Sequence, residues 1–266
     1  MSTFILKHGD CLEVMKEIPD ASVDMILCDL PYGKTQNKDD KPLPFAELWG
    51  HYKRIIKDDG AILLFAQGAF YVELVNSNRK MFRYDLIWDK QLVSGFLNAK
   101  RMPLRQHEQI AVFYKKMPTY NPQFTEGKPL HGMGNKFRHS KNKNNNYGIF
   151  DSCNNPSAER KGDTKKYPKS ILTFPRKASC KMVHPTQKPV SLLEYLIRTY
   201  TNEGDTVLDN CMGSGSTGVA CINTGRNFYG VEKNEQTFET AVKRIKKAQE
   251  GHHGQLHTNS GTKSNS

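Results

Sequence analysis

The chain has 266 residues, 37% of them hydrophobic, enough for one large α/β domain or one domain carrying an insertion. Its 39 Lys+Arg against 27 Asp+Glu leave a net charge of +12, which favours a polyanionic partner and would also suit an anionic membrane surface. No segment approaches the roughly 20 apolar residues of a bilayer span, and the six cysteines contain no C-x-x-C pair, so the expectation is a cytoplasmic protein with reduced thiols, no membrane contact and no metal site.

The first 115 residues alternate in the βαβ manner. Phe4-Ile5-Leu6 reads as a first strand rather than a signal peptide, and Gly9-Asp10 ends it. A helix is expected from Cys11 to Ile18, with Leu12, Met15 and Ile18 on one side. Val23 to Cys28 is a buried strand ending at Asp29. Phe45 to Ile56 has helical apolar spacing and is expected to stop at Asp59-Gly60. A strand at Ala61 to Ala66, a helix at Ala69 to Asn76, and strands at Tyr84 to Trp88 and Gln109 to Tyr114 follow. The alternation predicts a Rossmann-like α/β fold, a mostly parallel sheet with helices on both faces.

Residues 118–183 break this rhythm. They hold 13 Lys+Arg against 4 Asp+Glu, so this quarter of the chain carries +9 of the +12. A stretch this long without periodicity reads as a basic, irregular functional insertion. Its aromatic residues are interspersed with its charges, which favours nucleic-acid contact over a merely solvated loop. Arg160, Lys161, Lys165 and Lys166 form its candidate DNA-binding cluster. The βα pattern resumes with Pro189 as a helix start and an apolar face of Leu192, Leu193, Leu196, Ile197 and Tyr200. Then come a strand at Thr206 to Leu208, a glycine turn, a helix from Ser216, a strand at Phe228 to Val231 and a basic helix to about Gln249. The polar residues 251–266 are expected to be a disordered tail. The expected divisions are thus 1–117, 118–183, 184–250 and 251–266.

Two segments carry chemistry. In the first, Asp209 closes a strand and Gly213, Gly215 and Gly218 form a tight turn into a helix, where glycine lets backbone approach a ligand. Glu232 ends the next strand, 23 residues after Asp209, as does the carboxylate that bonds ribose hydroxyls in nucleotide-binding βαβ units. The glycine pattern starts four residues beyond the strand end, which disfavours a nicotinamide dinucleotide. An ordinary strand-to-helix turn with a surface glutamate is the plainer alternative. The second segment is Asp29-Leu30-Pro31-Tyr32-Gly33. A carboxylate and a backbone carbonyl there can draw on both N–H bonds of a planar amine, whose lone pair is otherwise delocalised, and a neighbouring ring can stack on the base. A strand end followed by a Pro-Tyr turn would look the same.

Together the segments resemble the amino-methyltransferases that use S-adenosylmethionine on exocyclic nitrogens of DNA bases. The order, catalytic motif first and cofactor loop last, is that of the permuted β group, and the chain is similar to the modification methylases of phage and prophage that lack an attached nuclease. The resemblance spans roughly the first 115 residues and the last 65 before the tail. It implies catalysis at Asp29, Leu30, Pro31 and Tyr32. It implies cofactor binding at Asp10, Thr186, Gln187, Lys188, Asp209, Gly213, Ser214, Gly215, Ser216 and Glu232. The segment His184-Pro185-Thr186-Gln187-Lys188-Pro189 matches the family motif for the methionine end of the cofactor. Leu30 stands where relatives have Pro, Asn210 likewise, and Ser216 where Thr is frequent. Aspartate at 29 leans toward adenine N6 in double-stranded DNA. Cytosine N4, an RNA substrate, and a DNA-binding protein that has lost activity are the alternatives. Relatives of this type often dimerise, which leaves a homodimer open.

Overall fold

The computed structural model describes residues 2–33, 41–129, 141–144, 148–151, 163–176 and 187–259; for 141–151 and 252–259 the description is of the backbone alone. Contacts divide the chain into two units, one of residues 1–121 and 170–266 and the other of residues 122–169.

The larger unit is built on an eight-stranded sheet. Its strands are β1 (Phe4–His8), β2 (Val23–Asp29), β3 (Ile56–Ala66), β4 (Phe82–Ser94), β5 (Arg105–Phe113), β10 (Ile171–Thr173), β11 (Thr206–Asp209) and β12 (Asn227–Glu232). Their spatial order is β1-β12-β11-β2-β3-β5-β4-β10. Every pairing is parallel except those of β5, which is antiparallel to both β3 and β4. The helices are α1 (Cys11–Val14), α2 (Phe45–Ile55), α3 (Ala69–Ser77), α4 (Val190–Tyr200), α5 (Ser216–Thr224) and α6 (Glu235–Asn259). They cover both faces, so the central strands are apolar on both sides. Ile26, Ile62 and Leu64 face a core shared with α1, α2 and α3, whereas Met25, Leu27, Leu63 and Phe65 face a core shared with α4, α5 and α6. Among the described residues no helix is long and apolar enough to cross a membrane.

Several boundaries differ from the expectation. The first helix is α-helical only to Val14 and continues as a 3₁₀ turn, Met15–Glu17. Helix α2 ends at Ile55 and the chain enters β3 at once, so Gly60 is not a helix stop. A Cβ at Gly60 would meet Ile56 Cδ1 at 2.7 Å and the Asp24 carbonyl at 2.8 Å; close packing inside the sheet is what requires glycine there. Strand β4 runs six residues past Trp88, and its extension carries no buried apolar alternation that a sequence pattern could detect. Strand β10, inside the expected irregular insertion, adds to the sheet edge beside β4, with Leu172 buried and its neighbours exposed; three residues are too few to show a period. Helix α6 extends to Asn259, beyond the expected end and into the expected tail, because adding a turn to a formed helix costs little compared with starting one.

The smaller unit holds two antiparallel pairs. Strand β6 (Thr125–Glu126) pairs with β9 (Lys165–Lys166), and β7 (Lys141–Asn144) with β8 (Gly148–Asp151). The Phe124 and Tyr167 rings pack 4.9 Å apart beside the first pair.

Candidate active site

The parallel strands deliver their carboxylates to one edge. Asp209 ends β11, Asp29 ends β2 and Glu232 ends β12. Asp10 follows the end of β1, where the Gly9 amide donates to the Glu232 carbonyl. From β11 the chain leads outward through β12, while from β2 it leads the other way to β3. The crevice between β11 and β2 is therefore a topological switch point, where open α/β sheets bind their ligands.

A cavity occupies that crevice. It is lined by Asp29, Gln187, Lys188, Asp209, Cys211, Met212, Gly213, Ser214, Ser216 and Thr217, over a floor of Leu27, Phe65 and Leu193. The sequence-predicted residues Asp29, Gln187, Lys188, Asp209, Gly213, Ser214 and Ser216 thus meet around one space. Asp10, Gly215 and Glu232 stand outside its lining. Thr186, Arg160 and Lys161 lie outside the described residues.

The glycine turn is held from several sides. Gly213 adopts φ +51° with nothing within 4 Å of a Cβ position, so its backbone is open to a ligand. Gly215 (φ +77°) lies against Ala241 of α6, where a Cβ would approach to 3.1 Å. Arg244, also on α6, donates from Nη1 to the Ser214 carbonyl, to Ser214 Oγ at 2.8 Å and to Ser216 Oγ at 3.4 Å. The Glu232 carboxylate accepts the Gly213 amide at 3.0 Å and the Asn234 amide at 2.8 Å, fixing the turn and keeping a spare lone pair on each oxygen. Asp10 accepts the Leu12 amide as a helix cap and pairs with Lys233 at 3.0 Å, which helps hold its carboxyl below the ordinary range.

Asp209 is buried. Burial pushes its carboxyl up to about 7, against the opposing bonds from the Thr217 hydroxyl at 2.6 Å and the Cys211 amide at 3.2 Å. Cys211 lies between Cys11 and Cys28. Its bond with Cys11 acts to lower the thiol pKa, but the bond with Cys28 and burial outweigh it and hold the pKa well above the usual value. The cavity wall therefore presents a neutral thiol and no competing thiolate.

Asp29 sits in a network the sequence did not reveal. Its Oδ1 accepts the Tyr32 hydroxyl at 2.7 Å, and its Oδ2 accepts the Lys188 ammonium at 2.5 Å. Lys188 also pairs with Glu108 of β5 at 3.3 Å, Glu108 pairs with Lys90 of β4 at 3.3 Å, and the Lys188 ammonium lies 4.9 Å from the Phe65 ring centre. Burial disfavours the Lys188 cation, but Asp29 and Glu108 outweigh it and leave its pKa raised. Burial likewise opposes the Glu108 carboxylate, and Lys188 and Lys90 outweigh that and leave its pKa lowered. The Tyr32 ring packs on Phe70, with centroids 4.8 Å apart. Leu30 is buried in the core, so its side chain anchors the motif from below.

The chain could hold S-adenosylmethionine here. Gln187 Oε1 is buried in the cavity wall with no hydrogen-bond partner among the described residues, an acceptor suited to an ammonium donor. The open Gly213 backbone and the adjacent Glu232 carboxylate suit a nucleoside.

A mostly parallel α/β sheet with a glycine turn after β11 and a carboxylate at the end of the neighbouring β2 is an arrangement suited to a nucleoside-bearing cofactor. The family model described as DNA methylase, N6_N4_Mtase, matches residues 23–243, and the chain belongs to this family. It is 27% identical to the DNA adenine methyltransferase YhdJ of Escherichia coli K12 over 90% of this chain and 81% of that protein. It is 26% identical to the type II methyltransferase M1.MboII of Moraxella bovis over 87% of this chain and 92% of that one. The crystal structure of an M1.HpyAVI–SAM complex superposes with a TM-score of 0.60 at 25% identity, covering 91% of this chain and all of that one. The protein is an S-adenosylmethionine-dependent DNA methyltransferase.

Glu232→Ala is expected to weaken S-adenosylmethionine binding by on the order of 1.5–3 kcal/mol, the worth of hydrogen bonds to a charged acceptor. Glu232→Gln keeps one oxygen for the Gly213 amide but sets its NH2 against the Asn234 amide, so it is expected to weaken binding less than Glu232→Ala. Unchanged affinity of both variants in calorimetry would remove Glu232 from the binding site.

Proposed function

We propose that the protein methylates the N6 nitrogen of adenine in duplex DNA, acting on a base rotated out of the helix. The observation that carries this reading is the placement of Asp29 on the wall of the cofactor cavity with Tyr32 beside it. Bound S-adenosylmethionine supplies the methyl group on an electrophilic sulfonium. The chain's own residues prepare the nitrogen. The Asp29 carboxylate and the Leu30 carbonyl accept hydrogen bonds from the two amine N–H groups, localise the lone pair and aim it at the cavity. As the N–C bond forms the S–C bond breaks to leave the thioether, and the methylated nitrogen then loses one proton, through Asp29, to solvent. Tyr32 leaves its resting bond to Asp29 Oδ1, which the amine then takes, and its ring stacks on the extruded base. Gln187 and Lys188, with Thr186, hold the methionine end of the cofactor. Asp10, Asp209, Glu232 and the turn from Gly213 to Ser216 hold the nucleoside end. The basic residues of segment 118–183, among them Arg160, Lys161, Lys165 and Lys166, contact phosphates and make binding salt-dependent.

The name of YhdJ and the aspartate at position 29 support adenine over cytosine. Modified-base sequencing and mass spectrometry of DNA from cells expressing the protein test this. N6-methyladenine at one short sequence is the expected result, and N4-methylcytosine in its place would overturn the substrate assignment.

A further inference from the structure

The hairpin between β4 and β5 carries exposed apolar side chains. Leu97 is 101% exposed, Phe96 67% and Met102 55%. The tip is nonetheless a folded knuckle. Gly95 enters it at φ +91°, Phe96–Asn98 forms a 3₁₀ turn, and the amides of Asn98, Arg101 and Met102 donate to the carbonyls of Gly95, Asn98 and Asn98 at 2.9, 2.8 and 3.0 Å. A built turn that holds a leucine wholly in water marks an interaction surface.

Its position follows from the register. Asp29 pairs with Phe65, Phe65 with Ile110 and Ile110 with Leu86. Strand β4 therefore continues eight residues beyond the level of Asp29 to Ser94, a rise of roughly 25 Å at most, about 14 Å to the side of β2. The tip stands above the carboxyl edge of the sheet, on the side from which a nucleotide must reach Asp29. Its charge selects the partner. Between residues 90 and 107 there are four Lys/Arg and no Asp or Glu; Lys90 is buried in its pair with Glu108, while Lys100, Arg101 and Arg105 are exposed around the apolar tip. Cations unaccompanied by any acidic residue suit a polyanion. Apolar wedges flanked by basic residues are the device of proteins that unstack a duplex.

We propose that this knuckle is a DNA wedge. Leu97, with Phe96 and Met102, enters the base stack where the target nucleotide has left it, and Lys100, Arg101 and Arg105 neutralise the flanking phosphates. The inference rests on the reading of the site as acting on an extruded base, and it places a second DNA-contacting element outside segment 118–183.

The test uses the full chain with S-adenosylhomocysteine and a duplex of the sequence found methylated in cells, with 2-aminopurine replacing the target adenine. The wild-type protein is expected to raise the fluorescence as the base leaves the stack. Phe96→Ala with Leu97→Ala is expected to cut that rise and kcat/KM by about tenfold, since part of the unstacking cost is no longer offset. Cofactor affinity should be unchanged, which shows that the variant is folded. A duplex with an abasic site at the target position, where no base has to be unstacked, is expected to narrow the difference between the variant and the wild-type protein. An undiminished fluorescence rise in the variant would overturn the wedge. So would loss of a dimer in sedimentation with base extrusion intact, which would assign the patch to self-association. A wild-type protein that leaves no methylated base in cellular DNA would instead count against the reading of the active site.

Discussion

Asp29→Ala is expected to lower kcat by about 10²- to 10³-fold while S-adenosylmethionine affinity stays at the wild-type level. On the proposed mechanism the carboxylate stabilises charge that develops on the attacking nitrogen, so its contribution is largest in the transition state, and removing one such preorganised group costs that much. Alanine also strips Lys188 of one of its two carboxylate partners, which leaves Glu108 alone beside the ammonium. Asp29→Asn is therefore the sharper variant. It retains the shape of the site and one acceptor oxygen, which can stay on Lys188 while its NH2 donates to the Tyr32 hydroxyl, but removes the charge. Single-turnover methylation with calorimetry of cofactor binding reads both effects. Full activity in either variant would defeat the proposed role of Asp29.

Lys188→Met is expected to destabilise the fold by about 3–5 kcal/mol, the range for removing one partner of a buried charge network. Methionine keeps most of the length of the lysine stem but removes the ammonium that lies over the Phe65 ring, leaving the Asp29 and Glu108 carboxylates without their shared cation. Adding Asp29→Asn should recover part of the loss, because it removes the carboxylate left without its cation, whereas Glu108 keeps Lys90. The network also predicts a pH dependence. The pKa of Glu108 lies below its ordinary value in the folded state, so its contribution is present above about pH 4.5 and is lost as pH falls through the lowered value. Urea denaturation at pH 7 and pH 4 checks both statements. A loss below about 1 kcal/mol at pH 7 would mean that solvent already screens the network.

The sequence made the βα rhythm and the glycine turn legible because both rest on local patterns. The continuous apolar runs of β2 and β3 and the spacing of α4 follow from burial on two faces and on one stripe. Asp29 and Glu232 were found because each ends a strand. Lys188 was found as a motif residue, but its ion pair with Asp29 spans 159 positions and leaves no local trace. Glu108 gave a weak signal, a lone acid at the start of an apolar strand, that could have marked it. Arg244 gave none, since it looks like every other basic residue of α6. The exposed knuckle between β4 and β5 escaped notice because exposure depends on what fails to pack, which periodicity cannot report.

The parallel pairings of β1 with β12 and of β2 with β11 have a further consequence for biosynthesis. Both N-terminal strands emerge from the ribosome about 180 or more residues before the strands that will flank them. At roughly 5–20 residues per second, β2 spends on the order of 10–40 s with one edge unpaired. An apolar strand of this kind is a template for wrong partners during that wait. The cavity proposed for the cofactor sits on the seam between β11 and β2, so it comes into being only when the last quarter of the chain arrives. A nascent chain cannot bind its methyl donor before the sheet is closed.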